Sequence, residues 1–540
     1  MTHKPADASA PDEPAPPTLT WPQVLSELAR TGRVEGAIIT RALPRPDLSD
    51  EETATRSMRG PKAGLTPQPA AGSAQSPDTS AEASEPAQGP RHRSKKARRA
   101  AADKARHAAE TEEKKALKAA QHPEPPPGPP QFNRPAVLKR CVIEGVADFS
   151  GLTFEHDIDF DGCHFKNKVH FKGCTFKGQA LFRRVTFDQG ADFIGGVFEN
   201  NVHFNSAKFK RYGAFQQTHF KGRVVISQAV FSTGANFIEA TFDAKASFNG
   251  IQCDHRLQCG KVKFLGGCTF SGARLAEVAD FNEVVFGDDG AFKSTQFVKR
   301  AQFKKAVFKK GAQFRGAQSQ GDAVFEKTRF EGVIDLVSMH SERNVTFEGA
   351  EFGDEAFFAI HHAHFRRLLI RREQIEGRLE SVRTGDFETA RREFGLLKNC
   401  WRDNSDYTQE DWAYLMEKRM ERLKLPTDTP MQMVRRAMNW LFLDLACGYG
   451  TKPKSIALTS LGILMAFAVL FWANPSQFQG GKITLGQSIQ LSFRTFTNAE
   501  VDSAQPLVDT WLNYLIMVES FTGVFVMLVL VVTFSRKVIR

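Results

Sequence analysis

Residues 147–176 read ADFSGLTFEHDIDFDGCHFKNKVHFKGCTF, and the Phe residues in this stretch recur at alternating intervals of five and six positions. The same pattern continues from Phe149 to Phe358 without losing phase. Seven of its positions hold another residue, namely Ile226, Cys253, Cys259, Leu275, Ser319, Leu336 and Ser341. Neither the 3.6-residue period of an α-helix nor the two-residue alternation of a flat strand produces these intervals. The chain therefore contains a long internal repeat.

A small or aliphatic residue stands two positions before most of these Phe positions, as at Ala147, Cys163 and Ala191. In an extended segment, residues two positions apart point to the same side of the backbone. Each unit is therefore expected to turn one small and one large apolar side chain inward. The Gly, Asp, Lys and Asn residues between them suit turns at the surface.

This pattern resembles the pentapeptide-repeat family, in a variant that alternates units of five and six residues. The resemblance implies a right-handed quadrilateral β-helix with one unit on each face, and so 22 residues per coil in this sequence. Residues 136–364 are expected to form this mainly β solenoid. Phe residues one coil apart should stack in its interior, and the predicted repeat core contains Phe149, Phe160, Phe171, Phe182, Phe193, Phe204, Phe215 and Phe237.

The repeat also accounts for the positions of most cysteines, which fall on its inward-facing small or large positions. Cys253 and Cys259 fall on large-residue positions, so packing explains them better than the zinc site that the intervening His255 suggests. The three His residues within 361–364 follow the last Phe position, where a solenoid cap is favoured over a metal site. No metal or cofactor site is therefore predicted. The nearly balanced charge of the repeat disfavours the acidic surface with which some pentapeptide-repeat proteins mimic DNA.

Residues 1–135 are rich in Pro, Ala, Ser and Gln and are predicted to be disordered, because this composition cannot bury a core. One apolar island, Trp21–Leu43, is interpreted as a docking peptide or a transiently ordered segment, with Thr20 able to cap a short helix. Residues 91–119 hold eleven Lys/Arg and four acidic residues. This basic stretch is expected to contact anionic lipid or to remain a solvated helix; without interleaved aromatic residues, nucleic acid is an unlikely partner.

Residues 365–450 lose the repeat and gain helical spacing of apolar residues, as in 368–379 and 387–397. We expect these helices to cap the open end of the β-helix and to connect it to the C-terminal part. Pro426 and Pro430 are expected to end the helical segment.

Two long apolar runs, 455–473 and 512–534, lie in a C-terminal domain at 451–540. Both are long enough to span a bilayer as helices. Lys and Arg residues flank their outer sides, so the positive-inside rule places both termini in the cytoplasm. The predicted location is a membrane crossed twice, such as a bacterial inner membrane, with membrane lipid as a partner.

The segment between the two runs, 486–506, contains Ser-Phe-Arg-Thr-Phe-Thr at 492–497, then Asn-Ala-Glu-Val-Asp-Ser at 498–503, and Pro506. It resembles the pore helix and filter of two-transmembrane potassium-channel pore domains. The resemblance implies a re-entrant helix and a homo-oligomer, a tetramer if the pore forms. It also implies pore or filter positions at Thr495, Thr497, Asn498, Glu500 and Asp502.

The filter departs from that pattern, because Glu500 and Asp502 stand where such pore domains have Gly. Glycines allow successive carbonyl groups to face the ion, so a potassium filter is not expected here. A ring of Glu500 or Asp502 carboxylates would instead attract cations without strict selectivity. Glu519 within the second run is a gating candidate or a partner of the pore helix, and Gly523 is a hinge or a close-packing point.

Two functions remain open. The first is an oligomeric non-selective cation channel with a cytoplasmic β-helical regulatory or interaction domain. The second is a non-conducting, membrane-anchored scaffold whose β-helix binds a protein partner that the sequence does not identify. The chain is not expected to be an enzyme, since it has no P-loop, dinucleotide-binding Gly motif or nucleophile elbow.

Overall fold

The computed structural model describes residues 16–40, 134–477, 482–499 and 511–538, with side chains up to residue 535 of the last segment. The predictions for residues 1–15 and 41–133, including the basic stretch 91–119, lie outside the described residues. The filter candidates Glu500 and Asp502 do so as well.

Most of the described chain is a parallel β solenoid of about 12 turns. Short strands pair with the equivalent strands one coil later, so that Val169 pairs with Ala191 and Thr175 with Val197. The other two series of strands follow the same offset. Each coil thus contributes to four ladders, which confirms the four-sided solenoid that the resemblance to pentapeptide repeats implies.

The strands are grouped here by ladder. The first contains Arg33–Glu35, Ala136–Lys139, Ile158–Asp159, Ala180–Leu181, Val202–His203, Val224–Val225, Ala246–Ser247, Cys268–Thr269, Gly290–Ala291, Ala312–Gln313, Ile334–Asp335 and Phe358–Ala359. The second contains Thr18–Leu19, Ile38–Ile39, Val142–Ile143, His164–Phe165, Thr186–Phe187, Lys208–Phe209, Val230–Phe231, Gln252–Cys253, Arg274–Leu275, Gln296–Phe297, Gln318–Ser319, His340–Thr346 and His364–Leu369. The third contains Ala147–Asp148, Val169–His170, Ala191–Asp192, Gly213–Ala214, Ala235–Asn236, Leu257–Gln258, Ala279–Asp280, Ala301–Gln302 and Ala323–Val324. The fourth contains Thr153–Phe154, Thr175–Phe176, Val197–Phe198, His219–Phe220, Thr241–Phe242, Lys263–Phe264, Val285–Phe286, Val307–Phe308, Arg329–Phe330 and Glu351–Phe352.

Phe rings fill the interior of the solenoid in columns. The rings of Phe149 and Phe171 are stacked with centroids 5.0 Å apart, and rings on neighbouring faces, such as Phe182 and Phe193, meet edge to face at 5.4 Å. All eight Phe residues of the predicted repeat core are at most 1% exposed. Stacked and edge-to-face rings combine apolar burial with favourable quadrupole geometry, so these columns supply the core.

One Phe column ends in serines, and the solenoid becomes irregular there. Ser319 and Ser341 are buried, and the Ser319 hydroxyl donates to the Gly321 carbonyl oxygen at 2.8 Å. The strand that contains Ser341, His340–Thr346, joins the second and third ladders and shifts register between Ser341 and Asn344. The local hydrogen bond satisfies the buried hydroxyl where no aromatic ring fixes the turn.

The last coil departs from the sequence phase. Ile334 pairs with Phe358, two residues beyond the Ala356 that the repeat predicts. Phe358 therefore occupies a small-residue position, and Ile360 takes the place of the Phe. The backbone N–H of Phe358 donates to the Arg378 carbonyl oxygen at 2.7 Å. The two additional residues are tolerated because this side faces the helical connector instead of another β coil.

The N-terminal island closes the other end of the solenoid. Helix α1, Trp21–Thr31, starts after Thr20 with a capping box, and Trp21 packs edge to face on Phe149 at 5.5 Å. The strands at 33–35 and 38–39 pair with strands of the first repeat coil. This corrects the assignment of residues 1–135 to a disordered region for residues 16–40. The apolar island noted in the sequence, with its helix starting after Thr20, packs on the edge of the first coil.

The connector that follows the solenoid is helical. It contains α2 (Arg372–Ile375), α3 (Glu380–Thr384), α4 (Phe387–Asp403), α5 (Tyr407–Leu423) and α6 (Pro430–Asn439), then a π-helix at Trp440–Ala446 and a 3₁₀ turn at Gly448–Gly450. Glu393 of α4 is fully buried, and its carboxylate accepts backbone N–H groups of Ile360 and His361 at 2.8 and 3.1 Å. The connector thus satisfies donors that the last coil leaves open.

Pro430 begins a helix instead of ending one, which corrects the sequence interpretation. Thr429 caps α6 with a capping box, and Pro430 occupies the first turn. Proline is tolerated there because the first backbone N–H groups of a helix have no intrahelical acceptor.

The C-terminal part contains α7 (Pro453–Trp472), a 3₁₀ turn at Pro475–Gln477, α8 (Leu485–Thr497) and α9 (Trp511–Val538). Helix α7 and the stretch Trp511–Ser535 of α9 have mean hydropathies of 2.1 and 2.5 and are long enough to cross a membrane. Large apolar side chains on both are exposed, such as Leu458 at 71% and Phe521 at 77%. Apolar surface of this extent marks contact with lipid or with another protein surface.

Candidate functional site

The candidate site is the short helix α8, which packs against both α7 and α9. A capping box fixes its start, since the Gln487 backbone N–H donates to Thr484 Oγ1 at 3.3 Å and the Thr484 N–H donates to Gln487 Oε1 at 2.9 Å. One side of α8 is buried, with residues Ser488, Leu491, Ser492, Thr495 and Phe496. Short polar side chains on this side allow close approach to the long helices.

Ser492 connects all three helices. Its hydroxyl donates to the Leu464 carbonyl oxygen of α7 at 2.9 Å and is also in hydrogen-bond contact with the Glu519 carboxyl group of α9. A hydroxyl donates a single proton, so both contacts are satisfied together when the carboxyl group is protonated and donates to Ser492 Oγ. Glu519 is fully buried, and its Oε2 atom has no hydrogen-bond partner among the described residues.

Gly523 allows the backbones of α8 and α9 to touch. A Cβ atom at this position would lie 2.1 Å from the Phe496 carbonyl oxygen, a distance that no side chain permits. Of the two roles considered for Gly523, the geometry therefore fits the close-packing point. The sequence alone did not identify Phe496 as the group that this glycine accommodates.

The end of α8 is also tied to α9. Asn498 adopts a left-handed conformation (φ 55°) as the C-cap, and its Oδ1 atom accepts from the Ser520 hydroxyl at 3.2 Å. Thr497 is exposed and its hydroxyl donates to the Phe493 carbonyl oxygen at 2.8 Å. Thr495 instead points into the helix interface, where its hydroxyl has no hydrogen-bond partner in the described part of the chain. Of the described pore and filter candidates, Thr495 therefore lies in the helix interface, whereas Thr497 and Asn498 lie at the exposed end of α8.

A second cluster links the connector to the start of α7. Asp444 of the π-helix is buried, and its carboxylate accepts from Arg419 Nη2 at 2.8 Å and from Arg419 Nε at 3.0 Å to both oxygens, while Arg422 Nη1 lies 3.0 Å from its Oδ2 atom. Sequence reasoning missed this cluster. The available signal was a lone acidic residue in the apolar run 440–446, since a charge at such a position requires a partner.

The other sequence candidates do not assemble a metal centre. Within 16–40, 134–477, 482–499 and 511–535, no group of three or more His, Cys, Asp or Glu side chains is arranged to hold a metal ion. Cys253 and Cys259 are buried free thiols in the solenoid interior. His361 Nδ1 lies 3.5 Å from the buried Glu393 carboxylate at the solenoid end.

Comparison with known families identifies the repeat and leaves the helices unassigned. The family model described as pentapeptide repeats (9 copies) matches residues 130–175, 171–212 and 215–263. These matched residues extend from the start of the repeat to just past the midpoint of the solenoid. No curated protein and no solved structure matches the chain.

Proposed function

Starting from a solenoid of pentapeptide repeats followed by two helices of membrane-spanning length, we propose that this protein is a homo-oligomeric membrane pore. Cations pass through it without strict selectivity, and the solenoid acts as a cytoplasmic regulatory or interaction domain. The observation that carries this proposal is the seating of α8 between α7 and α9 through Ser492, Glu519 and Gly523.

A connecting loop between two anchors does not require this seating. Helix α8 has its own capping box, a buried polar contact to each long helix and a backbone contact that only glycine permits. The same order of first span, re-entrant helix and second span occurs in the two-transmembrane potassium-channel pore domains that the sequence resembles. This arrangement supports a pore built from several copies of the chain, a tetramer by that resemblance.

The absence of filter glycines supports weak selectivity. With Glu500 and Asp502 in their place, the segment after α8 offers carboxylates to a passing cation instead of a ring of backbone carbonyls. A repeated ring of such carboxylates raises the local concentration of cations and repels anions.

A membrane-anchored scaffold is the second candidate. It is favoured by the same loss of filter glycines, which fits a pore fold that no longer conducts, and by a solenoid that is closed at both ends. In this function the solenoid faces bind a protein partner, and the helices hold the assembly at the membrane.

Single-channel recording of the full chain in planar bilayers separates the two functions. We expect a cation current whose amplitude and cation preference fall in the double variant Glu500→Gln/Asp502→Asn. The matched control Glu348→Gln/Asp354→Asn removes two exposed solenoid charges and should leave the current unchanged. A silent membrane containing an oligomer of verified size would reject the pore and favour the scaffold.

A further inference from the structure

An apolar cavity of about 590 Å³ lies between the π-helix, α7 and α9. Its walls are formed mainly by large apolar side chains, including Phe442, Leu445, Ile456, Ile463, Phe525 and Val529. The size falls in the range of about 300–1,000 Å³ that is usual for small-molecule sites. Since so few polar groups line it, the cavity suits a flexible hydrocarbon better than a polar metabolite, which needs fixed hydrogen-bond partners.

Two lysines lie close in the sequence to residues that line this cavity. Lys452 and Lys454 lie in the sequence between Cys447 and Ile456, both of which line the cavity. Both lysines are exposed, and neither forms an ion pair within the described part of the chain. The acidic residue of this segment, Asp444, is already neutralised by Arg419 and Arg422. These two cations therefore lie within five residues of cavity-lining positions in the sequence, and Lys452 also lines a neighbouring pocket with Arg372 and Arg419.

We propose that the cavity holds one acyl chain of an anionic phospholipid whose phosphate binds Lys452 and Lys454. The helices that form two of its walls are the proposed membrane spans, so a lipid chain is the apolar ligand available at this position. The free cations supply the complement to an anionic headgroup, which a neutral lipid lacks. The inference rests on the membrane location in the proposed function and does not require conduction.

An acyl chain in this cavity would contact three elements at once. Asp444 of the π-helix accepts hydrogen bonds from Arg419 of α5. The Thr459 hydroxyl of α7 donates to the carbonyl oxygen of Ala446 in the π-helix at 3.1 Å. The third wall belongs to α9, which also carries the contacts to α8. The lipid would thus fill the space between the helical connector and the two helices that hold α8.

Photocrosslinking in nanodiscs tests the site directly. The probe is phosphatidylglycerol with a photoreactive diazirine in one acyl chain, incorporated with the full chain. We expect crosslinks concentrated in peptides 441–447 and 521–529, with about a tenfold loss in Ile463→Trp, which fills the cavity. The control Leu458→Trp places the same side chain on the exposed side of α7 and should leave the yield unchanged. Crosslinks spread evenly over α7 and α9, or an equal yield in both variants, would overturn the proposal.

The headgroup contact has a separate test. A bimane fluorophore on Cys447 reports on the cavity, because Cys447 is the one cysteine of eight that is not fully buried. Brominated phosphatidylglycerol should quench it at least threefold more than brominated phosphatidylcholine at equal mole fraction. In Lys452→Gln/Lys454→Gln this ratio should approach one.

These experiments also distinguish another occupant of the cavity from a failure of the proposed function. If a second copy of the chain covers the cavity, neither brominated lipid quenches the fluorophore, and the lipid proposal is rejected. A chain that does not enter nanodiscs rejects the membrane location itself. A chain that binds the lipid but passes no current rejects the pore alone.

Discussion

Single side chains decide how tightly α8 is held. Ser492 contacts both long helices through one hydroxyl group, and Glu519 contributes a buried carboxyl group. Gly523 lets the helix backbones touch because it has no Cβ atom. A replacement that alters the size or the hydrogen-bonding capacity of one of these groups should change the spacing or the hydrogen bonds between the helices.

Replacing Glu519 by Gln should preserve the site, whereas Glu519→Ala should damage it. The Gln amide can donate to Ser492 Oγ as a protonated carboxyl group would, whereas Ala leaves the Ser492 hydroxyl without this partner and creates a void. We expect Glu519→Ala to lose about 1–3 kcal/mol of stability, with Glu519→Gln close to the native protein. Thermal unfolding followed by circular dichroism in detergent measures both. Equal damage from the two variants would show that a charged carboxylate is required.

Gly523→Ala should force α8 and α9 apart. The added Cβ atom would meet the Phe496 carbonyl oxygen at 2.1 Å, and overpacking of this kind costs about 1–3 kcal/mol. Gly462→Ala is the matched control, because a Cβ atom on this glycine of α7 has no neighbour within 4 Å. The control should be neutral or slightly stabilising in the same unfolding assay. If both variants behave alike, helix propensity alone determines the effect of Gly523.

At the scale of elements, the ends of the solenoid depend on what covers them. Helix α1 covers the first coil through Trp21, and Glu393 of α4 accepts the open N–H groups of the last coil. A solenoid coil contacts mainly its two neighbours, so damage at one end should remain local.

Trp21→Ala should therefore loosen the first coils and leave the last ones intact. Removing this fully buried ring from Phe149 should cost about 3–5 kcal/mol locally. Hydrogen exchange should become faster for residues 136–165 and remain unchanged near 300–330. Faster exchange throughout the solenoid would contradict nearest-neighbour stabilisation. Leu25→Ala on the same helix serves as a milder control, because Leu25 is only partly buried.

The elements also show what the sequence could and could not predict. The intervals of five and six residues indicate which side chains point inward, and the resemblance to pentapeptide repeats implies 22 residues per coil, so the solenoid was predictable. The cap at 16–40, the shift to Phe358 and the start of α6 at Pro430 depend on partners distant in the sequence or on the local capping residue Thr429. The spacing of apolar residues along the chain does not indicate these features.

The candidate site divides in the same way. The position of α8 is expected from the resemblance to pore domains, whereas Glu519 and Gly523 stand out only as an acidic residue and a glycine within an apolar run. The acceptors at Leu464 and Phe496, and the pairing of Arg419 with Asp444, do not follow from the sequence, because these contacts depend on how separate helices cross.

At the scale of the whole molecule, the eight cysteines report on folding. Seven are buried, and burial raises the pKa of Cys174, Cys253 and Cys400 to about 12. The reactive form is the thiolate, so these thiols should remain unreactive in the folded protein even when the pH is raised to about 10. We expect a maleimide to modify one thiol, Cys447, in the native protein and all eight in denaturant.

Mass spectrometry of the modified protein measures this directly. Cys447→Ser provides the control and should leave the native protein unmodified. Rapid modification of Cys174 or Cys253 under native conditions would indicate that the solenoid opens without unfolding completely.

The cap of the first coil has a consequence for the order in which the chain can assemble during synthesis. Cys141 Sγ contacts the carbonyl oxygen of Val34, a residue 107 positions earlier in the chain, and the paired strands of this coil are separated similarly. The ribosome therefore releases the cap well before the strands that receive it. Every later coil needs only one further turn of chain and can join a finished edge as it emerges. Closure of the first coil is thus the step with the greatest loop-closure cost, and growth of the remaining solenoid can proceed by local addition.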